Sequence, residues 1–171
     1  MGVQRRQVKL STSNFNEDAY ILMAVEQAEV QDLLFAHAHL SELHMISKIF
    51  ETGNVDESVL HRTIDLLSGL IYYVTASEDD NPFTCEGIPN KRRQKILREL
   101  DVCSLVTTML ASPFKTGQFT LSDIKRSDSI TLCCTLCYRL LKHLVKGNRL
   151  NELYASNWID LYFDQAMQTA D

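Results

Sequence analysis

Proline and glycine are scarce, at three and six of 171 residues, and they fall between long periodic segments rather than inside them. No run of about 18 apolar residues occurs, so no stretch reads as a membrane span. The N-terminal Met1-Gly-Val-Gln-Arg-Arg-Gln-Val-Lys9 has basic residues but no apolar core behind them, which is not the pattern of a secretory signal. Gly2 follows Met1, yet position 6 is Arg, and the myristoylation pattern fails. There is no glycine-rich phosphate loop and no nucleophile elbow. Without a nucleophile beside a base and its orienter, the chain does not read as an enzyme. Basic residues are outnumbered 17 to 22, for a net charge of -5, which argues against general nucleic-acid binding. The five cysteines are odd in number and three crowd Cys133–Cys137, so they read as reduced cytosolic thiols rather than a disulfide framework.

What remains is ordinary for one globular domain: 45% hydrophobic and 23% charged residues, in a chain long enough to bury a core. Residues 1–26 read as an extended strap or linker from a preceding domain. Val3–Leu10 and Tyr20–Val25 in it are strand-like, around the polar Ser11–Asp18 loop. Residues 27–171 read as helical. The periodicity predicts a first helix over Val30–Phe50, with Leu33, Leu34, Ala38, Leu40, Leu43, Ile46 and Phe50 available for its buried stripe and Gly53 to end it. A second runs over Asp56–Thr75, capped by Asp56 or Asn54. A third starts at Pro89 and ends before Pro113, because Ser112 is pushed out of helical geometry. The polar Ala76–Ile88 and Phe114–Ser127 loops precede the third helix and a fourth over Asp128–Lys146. A fifth covers Asn148–Met167 after the Gly147-Asn148 break. The expectation is an all-α, armadillo-like bundle or solenoid of about five long helices behind a short extended segment.

Two clusters have a bland explanation. Cys134-Thr-Leu-Cys137 has half of a zinc spacing, but no second pair accompanies it, and cysteine on an apolar helix is a small core residue. His37 and His44 lie two turns apart with His39 between them and no acidic partner completes a metal or catalytic set. No metal or cofactor is expected.

The segment Pro89-Asn-Lys-Arg-Arg-Gln-Lys-Ile-Leu-Arg98 is different, with five basic residues among ten in an acidic chain. Lys91, Lys95 and Arg98 are spaced i, i+4, i+7 and share one helix face, where each like-charge pair costs roughly 0.2–0.5 kcal/mol. An anion would offset that cost, and a helix N-terminus adds free N–H groups suited to phosphate. Arg149 repeats the arrangement at the start of the last helix. If the two helices lie side by side, both ends converge on one anion.

At these residues the sequence resembles a known family. Pro89–Glu99, Leu110-Ala-Ser-Pro-Phe114 and Leu136-Cys-Tyr-Arg-Leu-Leu-Lys-His143 resemble the helical half of the ligand-binding core of inositol 1,4,5-trisphosphate receptors, a domain shared with ryanodine receptors. Ala28-Glu-Val-Gln-Asp-Leu-Leu-Phe-Ala36 and the Leu67–Thr75 stretch fit in order and spacing. The resemblance implies a module of a tetrameric calcium-release channel on the cytosolic face of the endoplasmic reticulum. Its partners would be inositol 1,4,5-trisphosphate, a neighbouring β-trefoil domain and the other subunits. It also implies that Lys91, Lys95, Arg98 and Arg149 hold the ligand phosphates, with Arg93 and Asn148 in support. Lys91 stands where the family usually has Arg, and the family's Tyr-Arg-Lys turn falls on Asn148, Arg149 and Leu150. The Gly147–Arg149 turn is closer to ryanodine receptors, which do not use this pocket for inositol phosphates. The alternative is therefore a scaffold module that makes inter-domain contacts.

Overall fold

A computed structural model describes residues 24–77, 79, 81–115, 117 and 128–169. It comprises α1 (Gln27–Thr52), α2 (Glu57–Thr75), α3 (Lys91–Glu99), α4 (Val102–Lys115), α5 (Asp128–Val145), α6 (Arg149–Ala155), a 3-10 turn (Ser156–Trp158) and α7 (Ile159–Thr169). The fold is all-α, with no strand among the described residues. Nor is any helix among them long and apolar enough to cross a membrane. Apart from Ala24–Glu26, the proposed N-terminal strap lies outside the described residues.

The helix ends follow local chemistry. Gly53 takes the left-handed conformation (φ 73°) that closes α1. Asp56 accepts from the Val59 N–H at 2.8 Å and opens α2. The core is formed by Leu43 and Ile46 of α1, Leu67, Leu70 and Ile71 of α2, Leu97 of α3, Met109 and Leu110 of α4, and Leu136, Leu140 and Leu144 of α5. Each such fully buried side chain contributes about 1.5–3 kcal/mol. α2 packs along α5 and α1 along α4, with α3 wedged among them.

Several expectations are corrected. The third helix does not start at Pro89: Asn90 caps it, accepting from Arg92 N–H at 3.0 Å and Arg93 N–H at 3.2 Å, so Pro89 lies outside. Nor is it continuous, since α3 stops at Glu99 and Asp101 turns left-handed (φ 58°) before α4 begins. Such a residue interrupts a right-handed helix, and Asp is among the few that tolerate it. α4 runs through Pro113 to Lys115, because the bond that proline forfeits lies in the final turn and little helix remains to be lost. The fifth helix is divided by the 3-10 turn. Finally, Leu33, Leu34 and Ala38 of α1 are exposed, and the buried stripe is Asp32, Ala36, Leu43, Ile46, Ser47 and Phe50. α1 carries apolar residues on two opposite faces, and periodicity alone does not choose between them.

Candidate anion-binding face

The nine residues of α3 divide their cations by direction. At about 100° per residue, Lys91, Lys95 and Arg98 occupy one sector, while Arg93 points the opposite way and Arg92 lies between. On the front, the Lys91 ammonium donates to the Gly147 carbonyl at the end of α5. The Arg98 guanidinium donates to Asn151 Oδ1 at 3.1 Å and to Glu99 at 2.6 Å. Arg98 and, less strongly, Lys95 hold the Glu99 carboxyl below the usual carboxylate range. Lys95 is exposed and makes no ion pair among the described residues. On the rear, Arg92 and Arg93 both bind the buried Asp32 carboxylate, at 2.7 and 2.8 Å.

The front face meets the turn between α5 and α6 through three amides. Gln94, fully buried, donates from Nε2 to the carbonyls of His143 (2.8 Å) and Lys146 (3.1 Å). Asn148 donates to Gln94 Oε1 at 3.2 Å and caps α6 by accepting from the Asn151 N–H at 3.3 Å. Asn151, also fully buried, donates to the carbonyls of Gln94 (3.2 Å) and Leu144 (2.8 Å). The turn itself rests on Gly147 at φ 64°. Lys91 and Arg98 are thereby held against the segment that carries Arg149. Arg149 stands 77% exposed and is paired at 3.4 Å with Glu152.

Residues 64–170 match the family model of the RIH domain. The chain belongs to the RIH-domain family of inositol trisphosphate and ryanodine receptors. The inositol 1,4,5-trisphosphate receptor itr-1 of Caenorhabditis elegans is 31% identical over 153 residues, covering 80% of this chain. The chain spans 5% of that receptor's length. The RIH domain is a receptor module and not an enzyme.

Within this RIH domain, the helix-end chemistry expected from the sequence is altered. Two N–H groups at the α3 N-terminus are taken by Asn90 Oδ1, and the Gln94 N–H by the Asn90 carbonyl at 2.9 Å. Charge on side chains, rather than free backbone donors, is what the face presents. Asn148 turns its amide inward to Gln94, and Leu150 is 62% exposed. Sequence reasoning missed Asp32, Gln94 and Asn151. The available signal was a polar residue on each helix's apolar side.

The other clusters are packing features. Cys133 and Cys137 are buried on α5, and Cys133 donates to the Leu60 carbonyl at 3.5 Å. His39 Nδ1 bonds the Phe35 carbonyl at 2.8 Å and its ring stacks on Phe35, while His37 and His44 are exposed. Among the described residues, no three metal-ligating side chains group together.

Proposed function

We propose that this RIH domain is the cytosolic ligand-binding and gating module of an inositol 1,4,5-trisphosphate receptor-like calcium-release channel of the endoplasmic reticulum. Lys91, Lys95, Arg98 and Arg149 hold the phosphates of the ligand, with Arg93 and Asn148 behind them. The observation that carries the reading is the α3 front, which abuts the turn bearing Arg149 in a chain of net charge -5. On it, Lys91 and Lys95 have no carboxylate partner among the described residues, and Arg98 is paired with Glu99. A trisphosphate brings roughly -4.5 to -6 at pH 7, enough to offset four cations crowded on two short helices. Residues 27–171 form the ligand-binding core, and residues 1–26 lead in from a β-trefoil domain that supplies the other wall. Closing the walls is a hinge movement passed to the pore of a tetrameric assembly.

A second reading is a ryanodine receptor-like scaffold. It is favoured by the partners that Lys91 and Arg98 already have within the domain, and by the absence of a hydrogen-bonding ring and a second cation at Asn148 and Leu150. Calorimetric titration of inositol 1,4,5-trisphosphate into this chain joined to a β-trefoil domain separates the two. The first reading expects heat that disappears when Lys95→Ala and Arg98→Ala are combined. No heat, or the same affinity in the double variant, overturns it. The scaffold reading instead expects Lys95→Glu to alter inter-domain assembly with no dependence on inositol phosphate.

A further inference from the structure

Asp32 is the one charged residue on the buried stripe of α1, and 5% of its side chain is exposed. Both oxygens are occupied. Oδ1 accepts from Arg93 Nε at 2.8 Å, and Oδ2 accepts from Arg92 Nε at 2.9 Å and from its terminal nitrogen at 2.7 Å. Arg93 reaches onward to the Tyr73 carbonyl at 2.8 Å, and its guanidinium carbon sits 4.9 Å from the centre of the Tyr73 ring. The Tyr73 hydroxyl closes the circuit by donating to the Asp32 carbonyl at 2.9 Å. Burial and the Asp32 charge push that phenol up to about 12, so it stays a donor at any physiological pH. α1, α2 and α3 are joined at this one point.

The joint acts on the rear of α3 alone. α3 has only nine residues and is held from two sides. The Gln94 amide lattice grips one side and Asp32 the other. We propose that Asp32 is the positioning residue of the α3 face. By holding Arg92 and Arg93 it fixes the roll of the helix, and with it the direction of Lys91, Lys95 and Arg98 toward the 147–151 turn. The face is thereby tied to α1, so a displacement of α1 turns it. The consequence for binding rests on the inositol phosphate reading above; the mechanical role does not.

Electrostatics and positioning predict opposite signs. Asp32 is a negative charge close to a site for anions, so neutralising it strengthens anion binding if charge alone matters. If Asp32 positions the face, the same change weakens binding. Two measurements decide this, the first on the chain joined to a β-trefoil domain and the second on the chain itself. In the first, inositol 1,4,5-trisphosphate is titrated into wild type, Asp32→Asn and Asp32→Glu. Binding is expected to weaken at least about tenfold in Asp32→Asn, equivalent to about 1.4 kcal/mol, because the roll of α3 misdirects three cations at once. It should weaken by less in Asp32→Glu, which keeps the charge but displaces it by one methylene.

The second measurement needs no ligand. Hydrogen exchange of the Arg92, Arg93 and Gln94 amides is expected to accelerate at least about tenfold in Asp32→Asn relative to amides in the middle of α5. A general loss of stability accelerates both sets alike. Affinity in Asp32→Asn equal to or above wild type, or an unchanged exchange ratio, overturns the proposal. Should Asp32→Asn not fold, an unchanged ratio in Asp32→Glu overturns it equally. Absence of binding in wild type sinks the ligand reading and leaves the exchange ratio to judge Asp32.

Discussion

Asn151 donates through Nδ2 to the backbone carbonyl of Gln94 at 3.2 Å, and neither residue has any exposure to solvent. A buried amide is stabilising only when its donors and acceptor are all placed. Here Gln94 spends both its Nε2 hydrogens on the end of α5 and its Oε1 on Asn148. The contact between α3 and the α5–α6 turn is therefore specific in a way that apolar packing is not.

Replacing Gln94 by Ala leaves the His143 and Lys146 carbonyls and the Asn148 amide without those partners. The expected loss is about 2–4 kcal/mol, from the cost of stranding buried polar groups plus a small cavity. Gln94→Glu is expected to be worse, because an acceptor then faces two carbonyls. Urea unfolding measures both variants, and the midpoint should fall at an unchanged slope. A shift below about 0.5 kcal/mol, the usual range for exposed positions, contradicts the network.

His143 makes stability depend on pH. Its Nε2 lies 3.2 Å from the Cys85 carbonyl, which only accepts, so Nε2 carries the hydrogen. Nδ1 is buried with no hydrogen-bond partner among the described residues. Burial, with Arg139 and Lys142 adding to it, lowers the imidazole below its ordinary value. As pH falls below about 6.5, the unfolded chain takes up a proton that the folded one refuses, so stability declines. Above that pH the penalty vanishes. Denaturant midpoints from pH 8 to pH 5 should fall more steeply in wild type than in His143→Gln, which keeps a donor but does not titrate. Parallel slopes would refute this.

Much of this architecture was legible in the residues. Gly53, Asp56 and the Gly147-Asn148 break marked their helix ends because each acts through its own backbone or the next turn. The α3 front was legible for the same reason, since i, i+4, i+7 spacing is a local property. What failed was long-range. Nothing near Asp32 in sequence announces two arginines 60 and 61 positions away, and that pairing is what turns this side of α1 inward. Likewise, Asp101 is ordinary for a helix until Tyr154 supplies a hydroxyl to its carboxylate.

Asp101 breaks the third helix at a left-handed φ of 58°, where a Cβ is costly and Asp or Asn is tolerated best among non-glycine residues. The Tyr154 hydroxyl donates to its carboxylate, and that bond, with burial second, pushes the phenol up to about 12. Asp101→Ala is therefore expected to lose about 1–2 kcal/mol, from backbone strain and the lost bond together. Asp101→Asn should lose less, and Tyr154→Phe about 0.5–1.5 kcal/mol. Thermal unfolding of the three variants gives the order. An Ala variant more stable than the Asn variant is incompatible with a left-handed break.

The cysteines should separate by reactivity, because the thiolate is the nucleophile. Burial pushes the thiols of Cys103 and Cys133 up to about 12 and that of Cys134 to about 11, and it raises Cys137 as well. Cys85 goes the other way. Burial raises it, but hydrogen bonds from Ser77, the Gly87 backbone and Thr75 outweigh that, and the net direction is down. Cys85 sits in the segment between α2 and α3, which Arg139 holds by donating to the Pro82 and Cys85 carbonyls at 2.9 and 2.6 Å. Opening that segment costs far less than unfolding the core around Cys133 and Cys137. An aromatic disulfide reagent at pH 8 should thus label Cys85 first, with the remaining thiols following only as the domain unfolds. Cys85→Ser should abolish the early phase, and Arg139→Ala should accelerate it by releasing the segment. Early labelling that survives in Cys85→Ser would show that access to Cys134, rather than thiolate population, sets the order.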